Sequence, residues 1–260
     1  MFFRWYGRQY SHVLKCFTRF YVQNEVSREL LATIGITDVT VVGDTRFDRV
    51  LQIKEAAKQL PIVEAFLEGG ENSKPKVFVA GSSWPPDEDI FIKYFNEHKD
   101  WKLIIAPHVI GEDHLQQIEK LLEGRKVIRY STAEANSTLQ DADVLIINCF
   151  GLLSSIYHYG DVAYVGGGFG VGIHNLLEAA VWDVPVFFGP NNQKFQEAQG
   201  LKKSGGQEIH DYAEFEQLMN RFASDPSYIK KQGLLAGQYV KRLAGATELV
   251  ISSVGLRLDS

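Results

Sequence analysis

Short apolar runs alternate along this chain with stretches in which apolar residues recur at helical spacing. The clearest runs are VFVA (77–80), KLIIA (102–106), KVIRY (126–130), DVLIIN (143–148), VAYVG (162–166) and VPVFFG (184–189). Their length suits strands, and their apolar content suits strands covered on both faces. Between them, Asp87 to His98, Glu112 to Glu123 and Asn175 to Trp182 carry a helical pattern. This alternation predicts an α/β domain with a doubly wound parallel sheet over roughly residues 50–225. HDYAEFEQLMNRF (210–222) adds a helix with Asp211 as its cap, and Pro226 to about Leu258 reads as one or two more helices.

The first fifty residues follow a different pattern. Phe3, Tyr6, Tyr10, Val13, Leu14 and Phe17 recur at helical spacing beside a basic stripe of Arg4, Arg8, Lys15 and Arg19. Two readings stand. The aromatic face packs on a core, or the helix lies on a membrane surface or between domains. FTRFYVQ then reads as a strand, SRELLATIGI as a helix capped by Ser27, and DVTVVG as a strand. The expected division is a remnant of a preceding domain (1–47), the main domain (48–225) and a helical tail (226–260), with GDTRFDRV (43–50) as the crossing.

Composition narrows the function classes. The 260 residues are 45% hydrophobic and 23% charged, an ordinary globular mixture. A net charge of −5 argues against sequence-independent nucleic-acid binding. Cys16 and Cys149 lie far apart, without CxxC or a histidine cluster, which suits a reducing compartment and argues against a metal site. No apolar run reaches the roughly 18–20 residues of a membrane span, and MFFRWYGRQY has no signal-peptide core. The expectation is a soluble cytoplasmic protein.

Ligands of doubly wound sheets bind at the carboxyl ends of the strands, and four such ends carry candidate chemistry. In AGSSWPPDE (80–88), Gly81, Ser82 and Ser83 precede a helix start, where hydroxyls and backbone N–H groups could cradle an anion or simply turn and cap the chain. Pro107 and His108 follow the next strand, His108 being either a ligand contact or an ordinary loop residue. In NCFGLLSSIY (148–157), Gly151 permits close backbone approach, and Cys149 reads as a small buried hydrophobe.

The fourth end is VGGGFGVGIHNLLEAA (165–180). Five of the seven residues from Gly166 to Gly172 are glycine. Gly168 and Gly170 fit the first two places of G-x-G-x-x-G, but Ile173 stands at the third, and the loop is a late turn of the sheet. That excludes a dinucleotide fingerprint. Glycines before a helix still favour an anion. His174 and Glu178, four apart, would share a helix face with Asn175 near the loop. The alternative is a tight turn with an asparagine cap. Gly189-Pro190-Asn191-Asn192 turns at the next strand end.

These segments, in this order, resemble the C-terminal half of the 3-deoxy-D-manno-octulosonic acid (Kdo) transferases, two-domain GT-B glycosyltransferases whose C-terminal domain is Rossmann-like. The most specific part is Asp161 to Ala198, with the pattern GG…GxHNxxEAA…PVxxGP…F. The resemblance implies an inverting bacterial enzyme of lipopolysaccharide biosynthesis. Such an enzyme moves Kdo from CMP-Kdo to a lipid A precursor at the cytoplasmic face of the inner membrane, with no metal or cofactor. It further implies that Gly81, Ser82, Ser83, Gly167, Gly168, Gly170 and Gly172 lie near the donor phosphate. His174 and Asn175 would orient the donor, and Glu178 would bind sugar hydroxyls. Pro107, His108, Gly151, Gly189, Pro190 and Lys194 complete the implied donor site.

Three positions depart from the family pattern. Pro107-His108 lacks the intervening arginine, Gly151-Leu152 lacks the following glutamate, and Lys194 stands where asparagine is usual. The family's proposed base is a glutamate in a Gly-rich stretch of the acceptor domain, and none of these residues matches it. The expectation is a donor-binding part, inactive alone, that meets lipid A precursor and the membrane through an N-terminal domain. The alternatives are another GT-B transferase or epimerase using a UDP-sugar, or a non-catalytic nucleotide-sugar-binding module.

Overall fold

A computed structural model describes residues 3, 10–68, 75–134 and 139–255. The chain divides into two units, Met1–Gln52 with Lys241–Ser260, and Ile53–Val240. In the smaller unit, strands β1 (Phe20–Val22) and β2 (Val39–Val41) pair in parallel across the helix Glu25–Ala32. That helix is capped by Asn24, not by the expected Ser27. The Asn24 backbone is extended, and its side chain accepts the Ser27 N–H at 2.8 Å, so Ser27 supplies the capped donor. Of the expected basic-aromatic helix, Ser11–Leu14 is helical, while Arg4, Tyr6 and Arg8 lie outside the described residues. Among the described residues of that face, Tyr10, Val13 and Phe17 are exposed and Leu14 is half-buried. Asp48 accepts the N–H groups of Gly245 and Thr247, holding the start of the last helix, Ala246–Ser253.

The larger unit contains one parallel sheet. Its strands are β3 (Lys76–Ser83), β4 (Trp101–Pro107), β5 (Val127–Arg129), β6 (Val144–Ile146), β7 (Val162–Val165), β8 (Val186–Phe188) and β9 (Gly206–Glu208). The order is β5-β6-β4-β3-β7-β8-β9. The chain lays β4 to β6 on one side of β3, then returns to lay β7 to β9 on the other. The order therefore reverses between β3 and β7, and sheets of this kind bind ligands at the carboxyl ends of the strands at that point. One face of the sheet is sealed by aromatic packing: Phe78 lies 4.7 Å from Phe95 and 5.9 Å from Phe215 between ring centroids. All three are fully buried, as are Tyr164 and Phe187. Burial of such rings is the main term holding helices to the sheet.

Two features depart from the pattern of the sequence. Strand β9 has no apolar run, because it lies at the sheet edge beside β8. The register of β3 shifts between Gly81 and Ser83, with Ser82 at φ +52°. Such a bulge re-aims the end of a strand. Among the described residues no helix is long and apolar enough to cross a membrane.

Candidate functional site

The site is built around a buried carboxylate that the sequence did not single out. Asp87 stands in the first turn of the helix Pro85–Glu97, just after β3, and is 1% exposed. Its Oδ2 accepts the N–H groups of Trp84 and of Gly167, each at 2.9 Å. Its Oδ1 accepts the Tyr164 hydroxyl at 2.7 Å. One side chain thus binds the β3 end, strand β7 and the glycine loop together. Burial pushes the Asp87 carboxyl pKa up, while the bonds from Gly167, Tyr164 and Trp84 oppose that shift.

The anion cradle expected at this helix start is not formed. Pro85 and Pro86 have no N–H, and the N–H groups of Asp87 and Glu88 both turn back to the Trp84 carbonyl. The Ser83 hydroxyl, also expected to face a ligand, is buried and donates to Glu88 Oε1 at 2.8 Å. Glu88 Oε2 meets His114 Nε2 at 2.8 Å. Ser82 is half-buried, and among the described residues its hydroxyl has no hydrogen-bond partner.

The glycines prove to be close-packing residues. A Cβ on Gly166 would lie 2.3 Å from the Ser82 carbonyl oxygen, and one on Gly168 would lie 2.6 Å from Gly189 Cα. The loops after β3, β7 and β8 therefore touch backbone to backbone, a contact only glycine permits. Asn191 N–H donates to the Gly168 carbonyl at 2.8 Å, and Asn191 Nδ2 donates to the Gly170 carbonyl at 2.7 Å. The N–H groups of Gly167, Gly170 and Gly172 are used within the loop or on Asp87. Those of Gly168 and Phe169 have no partner among the described residues, and Gly168 is buried.

His174 and Asn175 precede the helix predicted to carry them. That helix is a single turn, Leu177–Ala180, and just before it the Asn175 side chain accepts the Leu177 N–H, a local turn in place of helix. The Asn175 Nδ2 also donates to Glu178 Oε1 at 3.0 Å. Burial pushes the Glu178 carboxyl up, opposed by that bond. His174 joins a three-ring cluster instead of a helix face. It stacks on His108 at 4.5 Å, His108 stacks on Trp84 at 4.6 Å, and Trp84 Nε1–H donates to His174 Nε2 at 3.2 Å. Pro107 pairs in register with Ser83, which sets His108 beside Trp84.

Other predicted positions lie outside this cluster. Gly81 is buried against Tyr157. Gly151 follows β6 at φ +85° with open space around it. Pro190 accepts the Asn192 N–H within its own turn. Lys194 is exposed on the turn after β8. Cys149, expected to be buried, is half-buried. Among the described residues no group of three or more His, Cys, Asp or Glu is placed to hold a metal ion.

Burial, and His108 beside it, hold the His174 imidazole below its ordinary range. A base with a lowered folded pKa binds its proton more readily when unfolded. Its contribution to stability is present above the unfolded value of about 6.5 and is lost as pH falls toward the folded value. Thermal unfolding of the wild type and of His174→Gln is therefore expected to diverge on acidification from about pH 7.5 to about pH 5.5, the wild type losing more stability. Parallel profiles would contradict a buried neutral histidine.

No family model matches the chain. It is 29% identical over 237 residues to a bifunctional glycosyltransferase/methyltransferase of Fusobacterium nucleatum, covering 86% of this chain and 36% of that protein. It is 29% identical over 184 residues to a 3-deoxy-D-manno-octulosonic acid transferase of Aquifex aeolicus, covering 67% and 50%. The chain thus spans half or less of the length of these relatives. The C-terminal CMP-Kdo binding domain of WaaA from Acinetobacter baumannii superposes with a TM-score of 0.56 at 19% identity, over 75% of this chain and 98% of that domain. UDP-GlcNAc 2-epimerase from Neisseria meningitidis superposes with a TM-score of 0.61 at 14% identity, over 96% and 63%. The two structures show that the fold is shared.

Proposed function

We propose, from the chain's kinship with the Kdo transferases and their C-terminal half, that it is the donor-binding part of such an enzyme. In the longer protein it would serve the inverting transfer of Kdo from CMP-Kdo to a lipid A precursor, at the cytoplasmic face of the inner membrane. The observation that carries this reading is the cluster at the strand-order reversal. The N–H groups of Gly168 and Phe169 have no partner among the described residues, and the same loop leads into His174, which joins the rings of His108 and Trp84.

The proposed chemistry is a displacement at the anomeric carbon of Kdo. The acceptor oxygen forms a bond to that carbon as the bond to the CMP phosphate oxygen breaks. Charge collects on the departing phosphate, where fixed N–H groups stabilise it more than they stabilise the intact donor. Gly168, Phe169 and the Ser82 hydroxyl are the donors assigned to that phosphate. Glu178, clamped by Asn175, is assigned to sugar hydroxyls. Proton removal from the acceptor is assigned to the acceptor-binding domain of the longer protein. No metal or cofactor is assigned to the site.

Calorimetry tests this reading. CMP is expected to bind more tightly than UMP, and UDP-GlcNAc more weakly than either. Glu178→Ala is expected to weaken CMP-Kdo binding about 10-fold or more, as removal of a hydrogen bond to a charged group does. A preference for UDP-GlcNAc would assign the site to a UDP-sugar enzyme. No response to any of the three would leave a module without a nucleotide-sugar function.

A further inference from the structure

The Trp84 indole nitrogen is tied to a titratable ring, that of His174. Its backbone is unusually constrained. Pro85 restricts the residue before it to extended conformations, and Trp84 sits at φ −123°, ψ 161°. The Trp84 N–H is held by Asp87 at 2.9 Å. The indole is therefore delivered from a fixed backbone to a fixed place.

Indole nitrogen is a donor and never an acceptor. The 3.2 Å contact from Trp84 Nε1 to His174 Nε2 can run in one direction only. Nε2 must carry the lone pair, so the neutral ring bears its proton on Nδ1. The stack of His108 on both rings, at 4.6 Å and 4.5 Å, opposes rotation of the imidazole. His174 Nδ1 has no hydrogen-bond partner among the described residues.

We propose that Trp84 is a positioning residue that locks His174 in the Nδ1–H tautomer, so that His174 presents a neutral, fixed donor to the phosphate of the bound nucleotide. The second half of this statement rests on the donor-site reading above. The first half stands on the geometry alone.

Nitrogen-15 NMR of histidine-labelled protein reads the tautomer directly. The His174 signals, assigned by their loss in His174→Gln, are expected to show an unprotonated Nε2 and a protonated Nδ1. Trp84→Phe keeps an aromatic wall and removes the donor, and it is expected to shift the ring toward Nε2–H or a mixture of tautomers. A protonated Nε2 in the wild type overturns the lock, whether or not the variant folds. An unchanged ring in Trp84→Phe overturns it too.

Calorimetry with CMP and with cytidine isolates the phosphate. Trp84→Phe is expected to shrink the advantage of CMP over cytidine about 10-fold in the wild-type background and not at all in His174→Ala. An equal loss in both backgrounds overturns the positioning role, because Trp84 would then act without His174. If the wild type binds neither compound, the donor-site reading fails together with the phosphate assignment, and the NMR result alone decides the lock.

Discussion

Replacing Asp87 by alanine is expected to cost about 3–5 kcal/mol of folding stability, the largest effect of any single change at this site. Three donors converge on its carboxylate: the Trp84 and Gly167 N–H groups and the Tyr164 hydroxyl. Tyr164 is fully buried, so truncation strands its hydroxyl away from water. Each buried donor left without a partner costs about 1–3 kcal/mol. Asp87→Asn behaves differently. Its amide oxygen can accept both N–H groups, and the Tyr164 hydroxyl can turn to accept from the amide nitrogen. The asparagine also removes a charge that burial penalises. The Tyr164 proton then loses its acceptor, so the asparagine variant is expected to cost about 1–3 kcal/mol, less than alanine. Urea unfolding of the two variants checks both statements, and an alanine variant as stable as the asparagine variant would refute this account of Asp87.

Gly168→Ala is also expected to be strongly damaging, by a different route. The added Cβ would sit 2.6 Å from the backbone N and Cα of Gly189, where non-bonded carbon atoms prefer about 3.5–4 Å. Neither backbone can rotate out of the way, so the loops after β7 and β8 must part by about 1 Å. Overpacking of this kind costs about 1–3 kcal/mol. The same displacement moves the unused N–H groups, and nucleotide binding is expected to fall by about 10-fold or more. Gly170→Ala is the matched control. Its Cβ meets nothing within 4 Å, and its stability is expected to change by less than about 0.5 kcal/mol. Thermal unfolding and CMP titration of the pair separate the crowded glycine from the open one.

These two glycines show how far the sequence could be read. The cluster from Gly166 to Gly172 was conspicuous, and its place after an apolar run put it correctly at a strand end. Its purpose was not legible. Anion binding and backbone crowding both call for glycine, and only the position of Gly189 shows that crowding accounts for Gly168. Ser83 departs from expectation for a similar reason. A hydroxyl before a helix commonly faces a ligand or a cap, whereas here it turns inward to Glu88. The Pro85-Pro86 pair did hold a readable warning, since neither residue can donate an N–H to an anion. Trp84 and Asp87 left a weaker signal, an acidic residue three positions after a residue that starts a helix. Nothing in that spacing points to Tyr164 or His174, which lie 77 and 90 residues away.

Local pattern by itself determined the larger unit's class, most of its strands and the places of the loops at their ends. Strand burial writes continuous apolar runs, helices write a 3.6-residue period, and both are properties of short segments. The tertiary structure decided what no segment contains. The strand order places the loops after β3 and β7 side by side. That adjacency turns Asp87 into a shared acceptor, Gly168 into a backbone contact and His174 into the partner of Trp84. Each of these roles depends on a distance between atoms far apart in the chain, and those distances exist only once the sheet has closed its order around β3.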